Sequence, residues 1–137
     1  MVGASVATLV FARPAAAVPV PYKNCGTSAD PIQIQRFDAS VWPPQRGHSV
    51  TFTLNGTAAR NLTVRINLTI SPPSGSGFGV SASNVSIPAG PFGTPQGGLT
   101  FWVPRSIPAG ATYPGHLSMH DQAGTQDLCL DLTVPFK

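Results

Sequence analysis

The sequence predicts an all-β protein, an immunoglobulin-like β-sandwich of two antiparallel sheets with about seven strands. Three observations support this. Apolar and polar residues alternate in several segments, as a strand with one buried and one solvated face requires. The 137 residues include 14 glycines and 15 prolines, which favour many turns between short elements. No segment combines helical spacing of apolar residues with capping residues.

The predicted strands follow one another with breakers between them. Leu62–Ile70 alternates without error and gives the clearest strand. The other alternating segments are Ile32 with Ile34, residues 50–54, Val85 with Ile87, and residues 99–103, 113–119 and 128–134. The predicted breakers are Pro43, Pro44 and Gly47, then Pro72, Pro73 and residues 75–79, and finally residues 88–98.

The first 17 residues differ from the rest of the chain. An apolar core followed by Ala15, Ala16 and Ala17 predicts a secretory signal peptide in residues 1–17. The basic start of such a peptide is absent, which is consistent with a truncated signal, and a frayed apolar tail is the alternative. Residues 18–137 are expected to form a single domain that is secreted or otherwise extracytoplasmic, in an extracellular, periplasmic or organelle-lumen location.

Composition and charge exclude several classes of protein. The chain is 42% hydrophobic and 9% charged, too apolar for disorder. Its net charge is +3 with scattered arginines, so no nucleic-acid footprint is present. Four Asn-x-Ser/Thr sequons, at Asn55, Asn61, Asn67 and Asn84, are expected by chance in a chain with so many Ser and Thr residues.

The sequence contains no recognisable catalytic or metal-binding motif. His116 and His120 are four residues apart, and on a strand this spacing separates them by about 13 Å, too far to share a metal. His48 has no carboxylate near it in sequence to complete a triad. We therefore predict that the protein is not an enzyme and has no catalytic residues, metal site or cofactor.

The two cysteines, Cys25 and Cys129, suit one disulfide in an exported protein. Such a bridge would tie the two ends of the mature chain together. Two unrelated buried thiols are the alternative.

Several short motifs, taken in order, resemble the ML lipid-recognition domain family. This family includes the lysosomal sterol carrier lost in Niemann-Pick disease, group 2 mite allergens and phosphatidylglycerol/phosphatidylinositol transfer proteins. The motifs are residues 22–26 (YKNCG), 42–44 (WPP), 107–110 (IPAG), 121–124 (DQAG) and 128–130 (LCL). Their order covers nearly all of the mature chain. The resemblance implies two splayed sheets with an apolar cavity between them, and Cys25 and Cys129 match the family's bridge between the first and last strands.

The resemblance implies that the chain binds and carries a sterol, fatty acid or phospholipid. We also expect a monomer that contacts membranes transiently. It lacks the additional cysteine pairs of many family members. Trp42 and Phe92 are expected at the cavity mouth. The expected lining residues are the large inward side chains Phe52, Leu54, Val64, Ile66, Phe101, Tyr113, Leu117, Met119 and Leu130. The alternative function is an immunoglobulin-like adhesion or structural module with a filled core.

Overall fold

The alternation of apolar side chains sets most of the strands. The computed structural model describes residues 18–73, 77–93 and 98–137. Within these ranges the chain forms ten strands and no helix, and so contains no helix able to span a bilayer. In chain order the strands are β1 (Val18–Pro19), β2 (Lys23–Asn24), β3 (Ile32–Ala39), β4 (Ser49–Ala58), β5 (Leu62–Ile70), β6 (Phe78–Ile87), β7 (Gly90–Gly93), β8 (Leu99–Trp102), β9 (Thr112–Asp121) and β10 (Gln126–Pro135).

The first sheet contains five antiparallel strands in the spatial order β2-β10-β9-β5-β6. At its centre, Leu117 of β9 lies opposite Leu130 of β10 and Leu68 of β5. All three leucines are buried because each occupies the inward position of a two-residue repeat. In the described part of the chain β6 pairs with β5 alone, so it forms one edge of this sheet.

The second sheet is built around β4. On one side β4 pairs with β3, which in turn pairs with β1. On the other side two short strands divide its length, because residues 49–52 pair with β8 and residues 55–58 pair with β7. The outer edge of this sheet therefore consists of two successive short strands.

Gly56 in β4 is required by the close approach of β3. The pairing of β3 with β4 shifts register between Ile34 and Arg36, which marks a β-bulge. A Cβ atom on Gly56 would lie 2.2 Å from the carbonyl oxygen of Gln33. Any larger residue at this position would push the two strands apart.

A chain of aromatic rings, the aromatic stack, fills the half of the interior beneath β8. The successive ring centroids of Phe37, Phe52, Phe101, Phe78, Phe136 and Tyr113 are 5.4, 5.9, 6.0, 6.1 and 5.7 Å apart. These separations lie within the range at which aromatic pairs attract each other. This half of the sandwich is a packed core.

The disulfide between Cys25 and Cys129 is formed, with Cα atoms 5.0 Å apart across 104 positions of sequence. It excludes the alternative of two unrelated thiols. Beside it, Asn24 of β2 pairs with Leu130 of β10. The predicted signal peptide, residues 1–17, lies outside the described residues and remains a prediction.

The predicted all-β sandwich of two antiparallel sheets is confirmed, and β5 has the predicted bounds. Two predicted breakers were wrong in part. Strand β6 begins at Phe78, inside the glycine-rich stretch, and β7 lies within the stretch 88–98. Proline has no N–H to donate to a neighbouring strand. Pro91 is tolerated in β7 because, among the described residues, this strand pairs with β4 alone and its other side has no partner strand. The short strands β1, β2 and β7 raise the count above the predicted seven.

Candidate functional site

A pocket of about 310 Å³ lies between the two sheets, in the half of the sandwich that the aromatic stack does not fill. It opens between β6, an edge of the first sheet, and β7, on the outer edge of the second. The lining residues come from five strands of both sheets and are Leu54, Ile66, Asn84, Val85, Ser86, Ile87, Phe92, Gly93 and Met119.

The floor of the pocket is apolar and deeply buried. Leu54 of β4, Ile66 of β5 and Met119 of β9 are each only 1% exposed. Ile66 and Met119 face each other in the register of the first sheet, and Leu54 comes from the opposite sheet. A ligand on this floor would be shielded from water on both sides.

The mouth of the pocket combines apolar and polar side chains. Val85 of β6 and Phe92 of β7 are half-buried and pack against the core. Asn84 and Ser86 are exposed beside them on β6. The mouth therefore offers hydrogen-bonding groups at the surface and apolar contacts below.

A β-bulge in β6 shapes this opening. The pairing of β6 with β5 shifts register between Val64 and Ile66, and Asn84 has a positive φ of 57°. Asn is one of the few non-glycine residues that adopt this left-handed conformation readily. A bulge bends and twists its strand, so the edge changes direction at the mouth of the pocket.

The other half of the same edge is closed. There the rings of Phe78 in β6 and Phe101 in β8 are 6.0 Å apart. The gap between the sheets is thus bridged by side chains beneath β8 and open beside β7.

The lining residues, all of which the structure describes, include no charged side chain. They also include no pair of a nucleophile and a base. The arrangement suits desolvation of an uncharged, apolar ligand and offers a neutral hydrogen-bonding group at the mouth.

A surface groove continues outward from the mouth. It shares Ser86 and Ile87 with the pocket and extends to Arg60 and Asp121. A ligand longer than the pocket could place its polar end along this groove, where both signs of charge are present.

A buried acid lies close to the groove. Asp127, at the start of β10, is completely buried, and neither of its carboxylate oxygens has a hydrogen-bond partner among the described residues. Burial and, after it, the neighbouring Asp121 raise the pKa of Asp127 to about 6, although Arg60 offsets part of their effect.

The structure divides the predicted cavity residues between the pocket and the packed core. Leu54, Ile66 and Met119 line the pocket, and Phe92 lies at its mouth. Trp42 instead packs on Phe52, with ring centroids 6.4 Å apart. The remaining predicted lining residues belong to the core, either in the aromatic stack or in the buried cluster around it: Phe52, Val64, Phe101, Tyr113, Leu117 and Leu130.

Sequence reasoning missed most of the mouth. Val85 and Ile87 carried a signal, since they form an apolar pair in a segment of small polar residues, but they were assigned only to a strand. No such signal marks the other mouth residues, Asn84, Ser86 and Gly93, because their local sequence pattern is the same for a pocket rim as for an ordinary surface.

The arrangement of the two sheets is also found in a solved structure of another protein. The fold is similar to that of a Niemann-Pick type C2 protein from the Japanese carpenter ant, at 13% sequence identity and a TM-score of 0.57, over 85% of this chain and 99% of that chain. The sporulation control protein Spo0M from Bacillus subtilis matches at 13% identity and a TM-score of 0.38, over 74% and 48% of the two chains. No family model and no curated protein matches the sequence. The structure of this chain therefore has the fold of a Niemann-Pick type C2 protein, as the resemblance of its motifs implied.

Proposed function

We propose that this protein binds and carries one small hydrophobic molecule in the pocket between its sheets. The observation that carries the proposal is the buried apolar floor formed by Leu54, Ile66 and Met119, which opens to solvent between two strand edges. The similarity of fold to a Niemann-Pick type C2 protein and the family resemblance of the motifs both support a lipid-binding role.

The size of the pocket favours a ligand with a single chain or a small ring system. At about 310 Å³ it lies at the lower end of the roughly 300–1,000 Å³ range of small-molecule sites. A phospholipid with two acyl chains would need the sheets to separate further. Within the sterols, fatty acids and phospholipids that the resemblance implies, a fatty acid fits best.

The binding energy comes from desolvation. Each buried methylene group contributes about 0.8 kcal/mol, so eight methylenes on the floor contribute roughly 6 kcal/mol. That corresponds to a dissociation constant of tens of micromolar, at about 1.4 kcal/mol for each factor of ten. Hydrogen bonds at the mouth would tighten binding and select the polar group.

The proposal includes no covalent chemistry, no cofactor and no catalytic residue. It also includes a location outside the cytoplasm, since a disulfide such as that between Cys25 and Cys129 persists in an oxidising compartment. A single chain with one pocket is the proposed functional unit. Transient contact with a membrane would deliver and accept the ligand.

The test is native mass spectrometry of the protein before and after organic extraction, with titration of a fluorescent fatty acid. Val85→Trp places a large ring in the mouth and should abolish binding. Val80→Trp is the matched control, because Val80 is also half-buried on β6 but does not line the pocket. Co-purified lipid or saturable binding that only Val85→Trp removes would support the proposal. A bare mass without saturable binding would contradict it.

One observation favours the alternative, an adhesion or structural module. Trp102, on β8 at the outer edge of the second sheet, is 57% exposed, and Trp is enriched among the residues that anchor protein–protein interfaces. A module of this kind would bind through its surface and leave the pocket empty. This alternative would be favoured if the unmodified protein bound a protein partner but no lipid, and if Trp102→Ser abolished binding of that partner.

A further inference from the structure

A second space, the outer cleft, lies beside the mouth of the pocket on the outward face of the first sheet and has a volume of about 300 Å³. Asn84 lines both the pocket and the outer cleft, so the two meet at the bulge of β6. Most of the lining side chains are polar. The lining residues of the outer cleft are Thr63, Val64, Arg65, Ser83, Asn84, His120, Asp121, Gln122 and Gly124.

Two nitrogen-bearing side chains lie side by side in the outer cleft. The pairing of β9 with β5 sets His120 directly opposite Arg65, and opposite residues of an antiparallel pair have Cβ atoms about 4.5–5.5 Å apart. Both side chains are on the outward face, because their neighbours Met119 and Ile66 are buried. Within the described ranges, neither side chain has an ion-pair partner. The pair therefore offers its N–H groups to a ligand.

The bulge of β6 adds two more polar side chains next to this pair. The register of β6 with β5 shifts between Val64 and Ile66, so Ser83 and Asn84 both lie opposite Arg65. A hydroxyl group and an amide group thus lie near the guanidinium, at the point where the outer cleft meets the pocket. A guanidinium with such neighbours suits an oxyanion, which accepts several hydrogen bonds at once.

The charges of the outer cleft differ from those of the groove. In the groove, Arg60 offsets part of the rise in pKa that burial imposes on Asp127, so the positive charge of Arg60 already faces that carboxylate. In the outer cleft, Oδ1 of Asp121 accepts hydrogen bonds from two backbone N–H groups of the turn between β9 and β10. The guanidinium of Arg65 is therefore the more available of the two for an anion.

We propose that the outer cleft binds the oxyanion head, a carboxylate or a phosphate, of the single-chain molecule held in the pocket. This inference rests on the proposed function. The uncharged chain lies on the apolar floor of the pocket, and the head lies beyond Asn84, where Arg65 and His120 donate to it. At roughly 30 Å³ for each water molecule, the outer cleft has room for about ten, so the head fits with part of its hydration shell. Arg65 is then the residue that selects the head group.

The test compares a fluorescent fatty acid with its methyl ester, which has the same chain and no charge. The ester is the more apolar of the two, so without an anion site it would bind at least as tightly as the acid. With such a site, the unmodified protein should bind the acid about tenfold more tightly, because hydrogen bonds to charged groups are strong. A single-chain phosphate monoester should displace the fluorescent acid. Its affinity relative to the acid shows which oxyanion the outer cleft prefers.

Variants measure the ratio of acid affinity to ester affinity. Arg65→Gln should bring this ratio close to one, and His120→Gln should lower it by less. Asp121→Asn should raise it, because the change removes a negative charge and keeps an oxygen that can accept the hydrogen bonds of the turn. Arg105→Gln is the matched control, because Arg105 lies beside Gly47 and lines neither the pocket nor the outer cleft. Circular dichroism checks that each variant is folded.

Two results would overturn this inference and leave the proposed function standing. The first is a ratio of one or below in the unmodified protein, with both probes bound and both blocked by Val85→Trp. The second is a ratio that falls in Arg60→Gln and not in Arg65→Gln, since the head would then lie in the groove. Failure of both probes to bind would instead contradict the proposed function itself, and this inference with it.

Discussion

Replacing Asp127 with Asn should stabilise the protein at neutral pH and leave its stability unchanged in acid. The side chain is completely buried, and no described residue donates a hydrogen bond to either carboxylate oxygen. Burial, and then the neighbouring Asp121, raise its pKa from 3.8 to about 6. Asn has nearly the same shape and no charge, so the substitution removes the titration and keeps the packing.

The magnitude follows from the difference in pKa between the unfolded and folded states. A raised pKa means that the folded protein holds the proton more tightly than the unfolded chain. Well below pH 3.8, the reference pKa of the unfolded carboxyl, both states are protonated and the carboxyl imposes no penalty. As the pH rises to about 6 the unfolded chain ionises first, so stability falls, and above pH 6 the loss is complete. A shift of about two units corresponds to at most about 3 kcal/mol.

Urea unfolding at several pH values between 4 and 8, followed by tryptophan fluorescence, measures this difference. Asp127→Asn should gain up to about 3 kcal/mol above pH 6, a midpoint shift of about 1–3 M urea at m-values of roughly 1–3 kcal/mol per M, and less than about 1 kcal/mol near pH 4. Titrating groups that do not interact with Asp127 cancel in the comparison with the unmodified protein. Asp131→Asn, at an exposed carboxylate, is the control and should show little pH-dependent gain. A gain that is independent of pH, or a loss above pH 6, would refute the reasoning.

Three further sets of substitutions test the fold. Gly56→Ala should destabilise the protein by roughly 2 kcal/mol or more, because the added Cβ would lie 2.2 Å from the carbonyl oxygen of Gln33. A melting temperature within a few degrees of the original would contradict this. Leu117→Ala should cost about 2–5 kcal/mol in urea unfolding, because the side chain is fully buried in the packed core, and a cost below about 1 kcal/mol would show that the site is not packed. Replacing both Cys25 and Cys129 with Ser should cost up to about 4–5 kcal/mol, because the bridge closes a loop of 104 positions, and unchanged stability would mean that the unfolded chain is not constrained by it.

The fold was predictable because alternation is a local property. Leu62–Ile70 shows its period of two without any knowledge of its neighbours, and the strand has the same bounds in the structure. The two-residue strands β1 and β2 and the four-residue strand β7 are too short to show a period. Their pairing depends on long strands that are distant in sequence.

The pocket was only partly predictable because its position depends on both sheets. Leu117 and Met119 are two residues apart on the same face of β9, and both are buried. Met119 lines the pocket, whereas Leu117 lies in the packed core. Met119 pairs with Ile66, where the register of β5 with β6 shifts, whereas Leu117 pairs with Leu68. The sequence of β9 itself does not show this difference.

Under the proposed function, the lateral opening between β6 and β7 separates ligand entry from the loops at the ends of the sandwich. Each of these strands is joined to its sheet by one described ladder of hydrogen bonds, so a passing ligand needs to displace a single row of bonds at most. The aromatic stack can remain intact while the sheets separate at the opening between β6 and β7. Substitutions on the two edge strands would then change which molecule is admitted, while the loops and the exposed Trp102 remain available to recognise a partner.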